Sequence, residues 1–213
     1  NYDPGITNHV LNTCEKRADS LAVIDLQNDY VPPSDAVVTV VGGNYGNVDL
    51  AISAMQGRAI NSSYGCAYYP WVQMRDENSS KLLYVPPSIA AIGTFSSAQQ
   101  KSEVWFAPAG FTRGGLTEGA AGLPIVGVVQ RLSSKDRDNL YESNINPIAT
   151  FPAEGIVIFG QKTLQTVPSA LDRVNVRRLM IHVKKGISFM ASRLLFDQNV
   201  QVTWDRFINQ AIP

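Results

Sequence analysis

Histidine and cysteine are scarce in this chain of 213 residues, with two of each. His9 and His182 both fall in helical patterns with no second ligand at metal spacing, so no metal centre is expected and both read as structural or surface side chains. Cys14 and Cys66 lie far apart and neither sits in a CxxC pair, which excludes a zinc ribbon, a thioredoxin-like couple and a dense disulfide scaffold. Both are expected to be reduced, buried thiols packed as small hydrophobes. No apolar run approaches the roughly 18 residues of a membrane span. The opening residues Asn1 to Gly5 also lack the basic and apolar regions of a signal peptide. Net charge is missing too: 18 basic residues balance 18 acidic ones, without the excess of a general nucleic-acid binder. Neither direct nucleic-acid binding nor membrane insertion is expected, and any charge-driven contact must be local.

What is present is an apolar fraction of 45%, enough for one large core or two small ones. The chain starts without Met and stops at Ile212-Pro213, so it reads as a piece of something longer. Val10, Leu11, Cys14 and Ala18 recur at helical spacing behind Thr7 as a cap, and Leu21 to Leu26 has the unbroken apolar character of a buried strand. Residues 27–49, rich in Pro, Gly, Asn and Asp, predict a long loop and a site for insertions, with a short strand at Ala36 to Val41. A helix is predicted over Ala51 to Ile60, a strand over Cys66 to Met74 that Pro70 interrupts, and a polar turn over Asp76 to Lys81. Another helix should start near Pro87. Eight glycines and prolines make Ala107 to Gly127 a long loop. Ser133 then caps a helix to Tyr141, and Ile145 to Phe151 leads into a strand at Ile156 to Phe159. From Val176 the stripe Met180, Val183, Ile187, Met190 and Leu194 marks the strongest helix, and Trp204, Phe207, Ile208 and Ala211 a final one capped by Asn199. The pattern is α/β (α+β), a mixed sheet flanked by helices, in one core domain spanning 1–213.

The chemical signals are isolated. Asp25, near the end of a strand, is where an α/β hydrolase or nucleotide-binding enzyme would place an acid, but no nucleophile or paired carboxylate supports it and no GxSxG is present. Arg113-Gly114-Gly115 is a single copy of an RGG-like element and reads as a turn. Tyr64, Tyr68, Tyr69 and Trp71 suit core or interface packing better than the stacking platform of a carbohydrate-binding module. No catalytic residue, cofactor or metal ligand is assigned. Arg177, Arg178, Lys184 and Lys185 fall on one arc away from the apolar stripe and form the candidate interface, either as a solvated face or as a dock for an acidic partner, with bracing of the core the alternative for Arg177 and Arg178.

Taken in order, Asn12 to Asp25, Ser62 to Trp71, Val85 to Ser88, Trp105 to Gly110, Asn144 to Asn146, Gly155 to Leu164, Val174 to Leu179 and Phe196 to Asn199 resemble the successive core segments of contractile tail sheath proteins. Phage sheaths, pyocin-like particles and secretion-system sheaths share such a core. The resemblance implies a non-enzymatic subunit stacked in six-membered rings around an inner tail tube protein. It also implies contacts to neighbouring sheath subunits and a baseplate, and a location in the virion tail after assembly in the host cytoplasm. Relatives join subunits through terminal extensions that add strands to their neighbours. No such extensions are seen in this sequence, so residues 1–213 alone are expected to be monomeric in dilute solution.

Overall fold

The apolar runs at 22–24 and 65–69 lie side by side as parallel strands of one sheet. The computed structural model describes residues 3–26, 47–76, 78–117 and 122–211. In chain order these form α1 (Pro4–Arg17), β1 (Ala22–Ile24), α2 (Val48–Gly57), β2 (Gly65–Tyr69), β3 (Val72–Arg75), β4 (Leu82–Val85) and α3 (Pro87–Lys101). There follow α4 (Gly110–Arg113), β5 (Ile125–Val128), α5 (Ser134–Glu142), β6 (Ile145–Phe151), β7 (Gly155–Ile158), α6 (Val174–Ser192) and α7 (Gln201–Ala211). Among the described residues the larger sheet has the order β1-β2-β6-β7, parallel between its first three strands and antiparallel at β7. A second, antiparallel sheet has the order β4-β3-β5. The architecture is therefore the expected α/β arrangement of a mixed sheet with helices against it.

Every residue of β2 is buried, and successive side chains enter opposite cores, as the two-residue period of a strand requires. Ala67 and Tyr69 pack with Leu11 and Cys14 of α1, Ala51 and Met55 of α2 and Leu140 of α5. Cys66 and Tyr68 pack on the other face with Ala90 and Ala91 of α3, Ile156 and Ile158 of β7 and Val174 of α6. A strand covered on both sides has no polar alternation to display, which is why these segments read as continuous apolar runs. At about 1.5–3 kcal/mol for each fully buried Leu or Ile side chain, these two cores dominate the stability.

Local chemistry sets the helix ends. α1 starts earlier than predicted: Asp3 is its cap, accepting from Gly5 N at 2.8 Å and Ile6 N at 3.1 Å, while Thr7 lies buried inside the helix. α2 also begins early, at Val48, because Asn47 accepts from Asp49 N at 2.9 Å and Leu50 N at 3.2 Å. The predicted loop at 27–49 thus loses its last three residues to this cap and helix; residues 27–46, including the predicted strand at Ala36 to Val41, lie outside the described residues. α3 opens at Pro87 and α5 behind Ser133, both as expected, the latter through a capping box with Asp136. The region 107–127 is not one loop, since it contributes α4 and the start of β5. Gly114 to Leu116 in that region runs along the outer edge of β7, with Leu116 N donating to Ile156 O and Ile158 N to Gly114 O, both at 2.8 Å. A Cβ at Gly114 would stand 2.7 Å from Ile158 O, so this approach needs glycine. Asn199 does not cap the last helix; its Oδ1 accepts from Trp204 Nε1 at 2.7 Å.

Candidate assembly surface

After β7 the chain passes back across the sheet before α6 begins. Leu164 N donates to Gly65 O at 2.9 Å, and Val174 N to Gln161 O at 2.8 Å, so the first turn of α6 is tied to the segment lying beside β2. The bracket is Asn146, fully buried in β6. Its Nδ2 donates to Ala67 O at 3.0 Å and Lys162 O at 2.8 Å, and its Oδ1 accepts from Lys162 N at 2.6 Å. One side chain thereby supplies the hydrogen bonds that a missing strand would have made. Lys162 donates in turn to Tyr141 O at 2.8 Å with its ammonium 4.4 Å from the Tyr141 ring centre. Burial, then the nearby Arg173, holds that lysine below its ordinary value.

The four residues of the candidate interface do not share a fate. Arg177 is buried: its guanidinium lies 3.9 Å over the Tyr64 ring and donates to Ser63 Oγ. Arg178 lies 4.9 Å over the Phe95 ring and donates to Phe95 O at 3.3 Å. Burial lowers the Arg178 pKa, while the neighbouring Tyr68 and Cys66 oppose that effect. Of the two readings of the arginines, exposed arc or core brace, the geometry supports the brace, because both point inward and clamp α6 onto aromatic rings of the body. Lys184 and Lys185 are exposed. Lys184 Nζ donates to Arg17 O at 3.1 Å, at the carbonyl end of α1 where a cation is favoured. Beside it the Arg17 hydrogen bond brings the Asp19 carboxyl down to about 2, with Lys185 adding a smaller pull.

The apolar stripe is inverted as well. Met180, Val183 and Ile187 are 49%, 42% and 42% exposed, and line a groove of about 340 Å³ with Ala18, Tyr64 and Lys184. The inward face of α6 is instead set by Val174 and the two arginines. Sequence periodicity reports an amphipathic helix without saying which face meets the body. The partners Ser63, Tyr64 and Phe95 carry no signal in the sequence, whereas an Asn inside the apolar run Ile145 to Phe151 is a visible mark of a buried bracket.

The other candidate sites are structural. Asp25 is buried, accepting from Ser88 N at 3.2 Å and Ser88 Oγ at 3.0 Å, and so caps the first turn of α3. Arg113 donates to Ala107 O at 3.0 Å and lies 5.0 Å over Phe106. Tyr68 and Tyr69 are fully buried, which removes them from any stacking platform. His182 packs beside Trp105, ring centres 6.3 Å apart. Among the described residues no group of three or more His, Cys, Asp and Glu side chains gathers to hold a metal, and no helix is long and apolar enough to cross a membrane. Both cysteines are free and buried, and burial pushes the Cys66 thiol up to about 12.

No family model matches the chain. It is 30% identical over 206 residues to the tail sheath protein of Salmonella phage ViI, a match covering 94% of this chain and 31% of that protein. It is 36% identical over 132 residues to the tail sheath protein of Vibrio phage KVP40, covering 62% of this chain and 19% of the relative. Among solved structures, the anti-feeding prophage baseplate, 6-fold symmetrised, aligns with a TM-score of 0.72 at 20% identity over 98% of this chain and 47% of that one. The sheath complex of the extracellular contractile injection system PVC, in its contracted state, aligns with a TM-score of 0.63 at 25% identity over 78% of this chain and 43% of that one. The chain spans about a third or less of the length of the curated relatives it matches.

Proposed function

We propose that this chain, which is of the contractile tail sheath type over nearly its whole length, forms the packed core of a sheath subunit. The subunit polymerises around an inner tail tube and shortens to drive that tube through the target envelope. The observation that carries this is the 94% coverage of the chain by its match to a phage tail sheath protein. The inventory of polar groups agrees with a structural role, since Asp25, Asn146, Arg177 and Arg178 are engaged in caps, brackets and ring contacts. Residues 1–213 act as one core domain, surface domains enter within 27–49, and the subunit takes part in no catalysis. Its partners are neighbouring subunits, the tube and the baseplate, in a tail assembled in the host cytoplasm.

Within this reading Arg177 and Arg178 hold α6 in place so that Lys184 and Lys185 are presented to an acidic surface of the tube or of a neighbour. Exposed ion pairs contribute about 0–1 kcal/mol each. Repeated around a ring, they hold an extended sheath and still release singly when it fires. The test is electron microscopy of the full sheath polypeptide expressed with its tube protein. Tubes of tail-like length are expected, and their absence overturns the reading. Lys184→Glu with Lys185→Glu is expected to leave the folded core intact and to impair assembly of the extended sheath; normal assembly by that variant removes the lysines from the contact.

A further inference from the structure

We infer that the pocket between α5, β6 and the end of β7 is a binding site for an uncharged oligosaccharide. The inference is independent of the sheath reading and concerns a face to which that reading gives no part. Arg137, Asp138 and Tyr141 of α5, Pro147 of β6 and Phe159 line a cavity of about 300 Å³, at the lower end of the volumes that small ligands occupy. Phe159 is its platform. It is 42% exposed, and its ring is held by Phe111 and Phe151, with ring centres 5.7 Å and 5.0 Å away, while those two rings meet edge-on at 5.0 Å. The platform is thus fixed before a ligand arrives, which lowers the cost of binding. Phe111, 51% exposed, continues the ring surface beside it, which suits linked sugars better than a single one.

The chemistry of the lining selects the ligand class. An aromatic face is negative and attracts the weakly positive C–H bonds on one side of a sugar ring. The other ring of the pocket is already engaged, since Tyr141 has the Lys162 ammonium 4.4 Å from its centre and accepts from Arg173 at its hydroxyl. A single free ring covers one face of a pyranose, whereas a flat base gains most when held between two. Arg137 and Asp138 supply the polar contacts. The Arg137 guanidinium is stationed 5.2 Å over Phe151 and gives one N–H to Ser134 Oγ at 3.0 Å, which leaves further donors of its fork. Asp138 is exposed and makes no hydrogen bond or ion pair among the described residues. Sugar hydroxyls donate and accept at once, so a donor fork beside a carboxylate that only accepts matches neighbouring hydroxyls. The two charges are opposite and adjacent, so an anion meets Asp138 and a cation meets Arg137, and a neutral ligand is favoured over both.

The test is saturation-transfer NMR of the 213-residue chain with maltose, cellobiose, lactose and N,N′-diacetylchitobiose, each up to about 20 mM. At least one disaccharide is expected to bind with a Kd on the order of 1 mM, with transfer concentrated on its ring C–H protons. Asp138→Ala is expected to weaken that binding about tenfold or more while the circular dichroism spectrum and melting temperature stay unchanged, because the side chain is exposed and engaged by nothing in the fold. Phe159→Leu keeps apolar bulk but removes the ring face, and is expected to weaken binding by a similar factor. Should that variant lose its fold, Asp138→Ala decides alone. Absence of transfer from all four disaccharides overturns the inference, as does undiminished binding by either folded variant. Glucuronic acid or adenosine bound more tightly than every disaccharide also overturns it, since the pocket would then select an anion or a flat ring.

Discussion

Replacing Asp25 distinguishes a helix cap from a catalytic acid. Its carboxylate is 2% exposed and accepts two hydrogen bonds from Ser88, at 3.2 Å from the backbone N and 3.0 Å from Oγ. α3 has Pro86 at its cap position and no side-chain cap of its own, so Asp25 reaches from the end of β1 to do this work. Capping side chains contribute about 0.5–2 kcal/mol. Hydrogen bonds to a charged group contribute about 1.5–3 kcal/mol each, with further cost when the donors left behind are buried. Because the contributions overlap, Asp25→Ala is expected to cost about 3 kcal/mol, or roughly 6–12 °C in melting temperature for a chain of this size. Asp25→Asn keeps one acceptor oxygen and should cost about 1 kcal/mol, as should Ser88→Ala, which removes only the hydroxyl bond. The Asp25→Ala, Ser88→Ala double variant should be less destabilised than the sum of the singles by about 1 kcal/mol. Urea denaturation with a common m-value measures all four. An Asp25→Ala variant within about 0.5 kcal/mol of the parent would refute the cap, since a site acid held against its solvation usually relaxes on removal.

Asn146→Leu is expected to cost about 3 kcal/mol in the same assay, because it leaves Ala67 O and both backbone groups of Lys162 without their bracket. Arg177→Ala should cost about 2 kcal/mol through loss of the Tyr64 stacking and the Ser63 hydrogen bond, while the exposed Lys184→Glu, Lys185→Glu pair changes the melting temperature little; the reverse ranking would refute the inward assignment of the arginines. Burial raises the Cys66 thiol from 9.0 to about 12, so the unfolded chain loses this proton first. Stability is then fully present below pH 9 and declines as pH rises from 9 towards 12, by at most about 1.4 kcal/mol per unit from this group. Cys66→Ala should flatten that decline in pH-dependent melting, and an identical slope would rule it out.

The parts of the fold that could be read from sequence are those where one physical requirement acts alone. β1 and β2 are packed on both faces, so apolar continuity marks them without knowledge of their neighbours. Pro87 and Ser133 announce helix starts through backbone restriction and a single local hydrogen bond. Competing signals mislead. Asp3-Pro4 has the cap and first-turn proline of a helix start, yet the apolar period beginning at Val10 draws the start to Thr7. Between 107 and 127 the glycines that signal a loop instead allow Gly114 to press against β7, a use that only the strand's presence explains.

α6 shows the limit most clearly, because its periodicity is correct and its orientation is opposite to the ordinary reading. An apolar stripe is normally the buried one, since it gains most from leaving water, and charged residues normally take the solvent side. Here the body offers α6 the rings of Tyr64 and Phe95, and the guanidinium groups gain there both a π face and acceptors for their hydrogen bonds, the Ser63 hydroxyl for Arg177 and the Phe95 carbonyl for Arg178. That arrangement holds the helix with arginine and leaves Met180, Val183 and Ile187 outside, beside Lys184. An isolated folded subunit gains nothing from exposing them. That exposure is compatible with the sheath assembly proposed above, in which contacts that are weak for one pair add up when repeated around a ring.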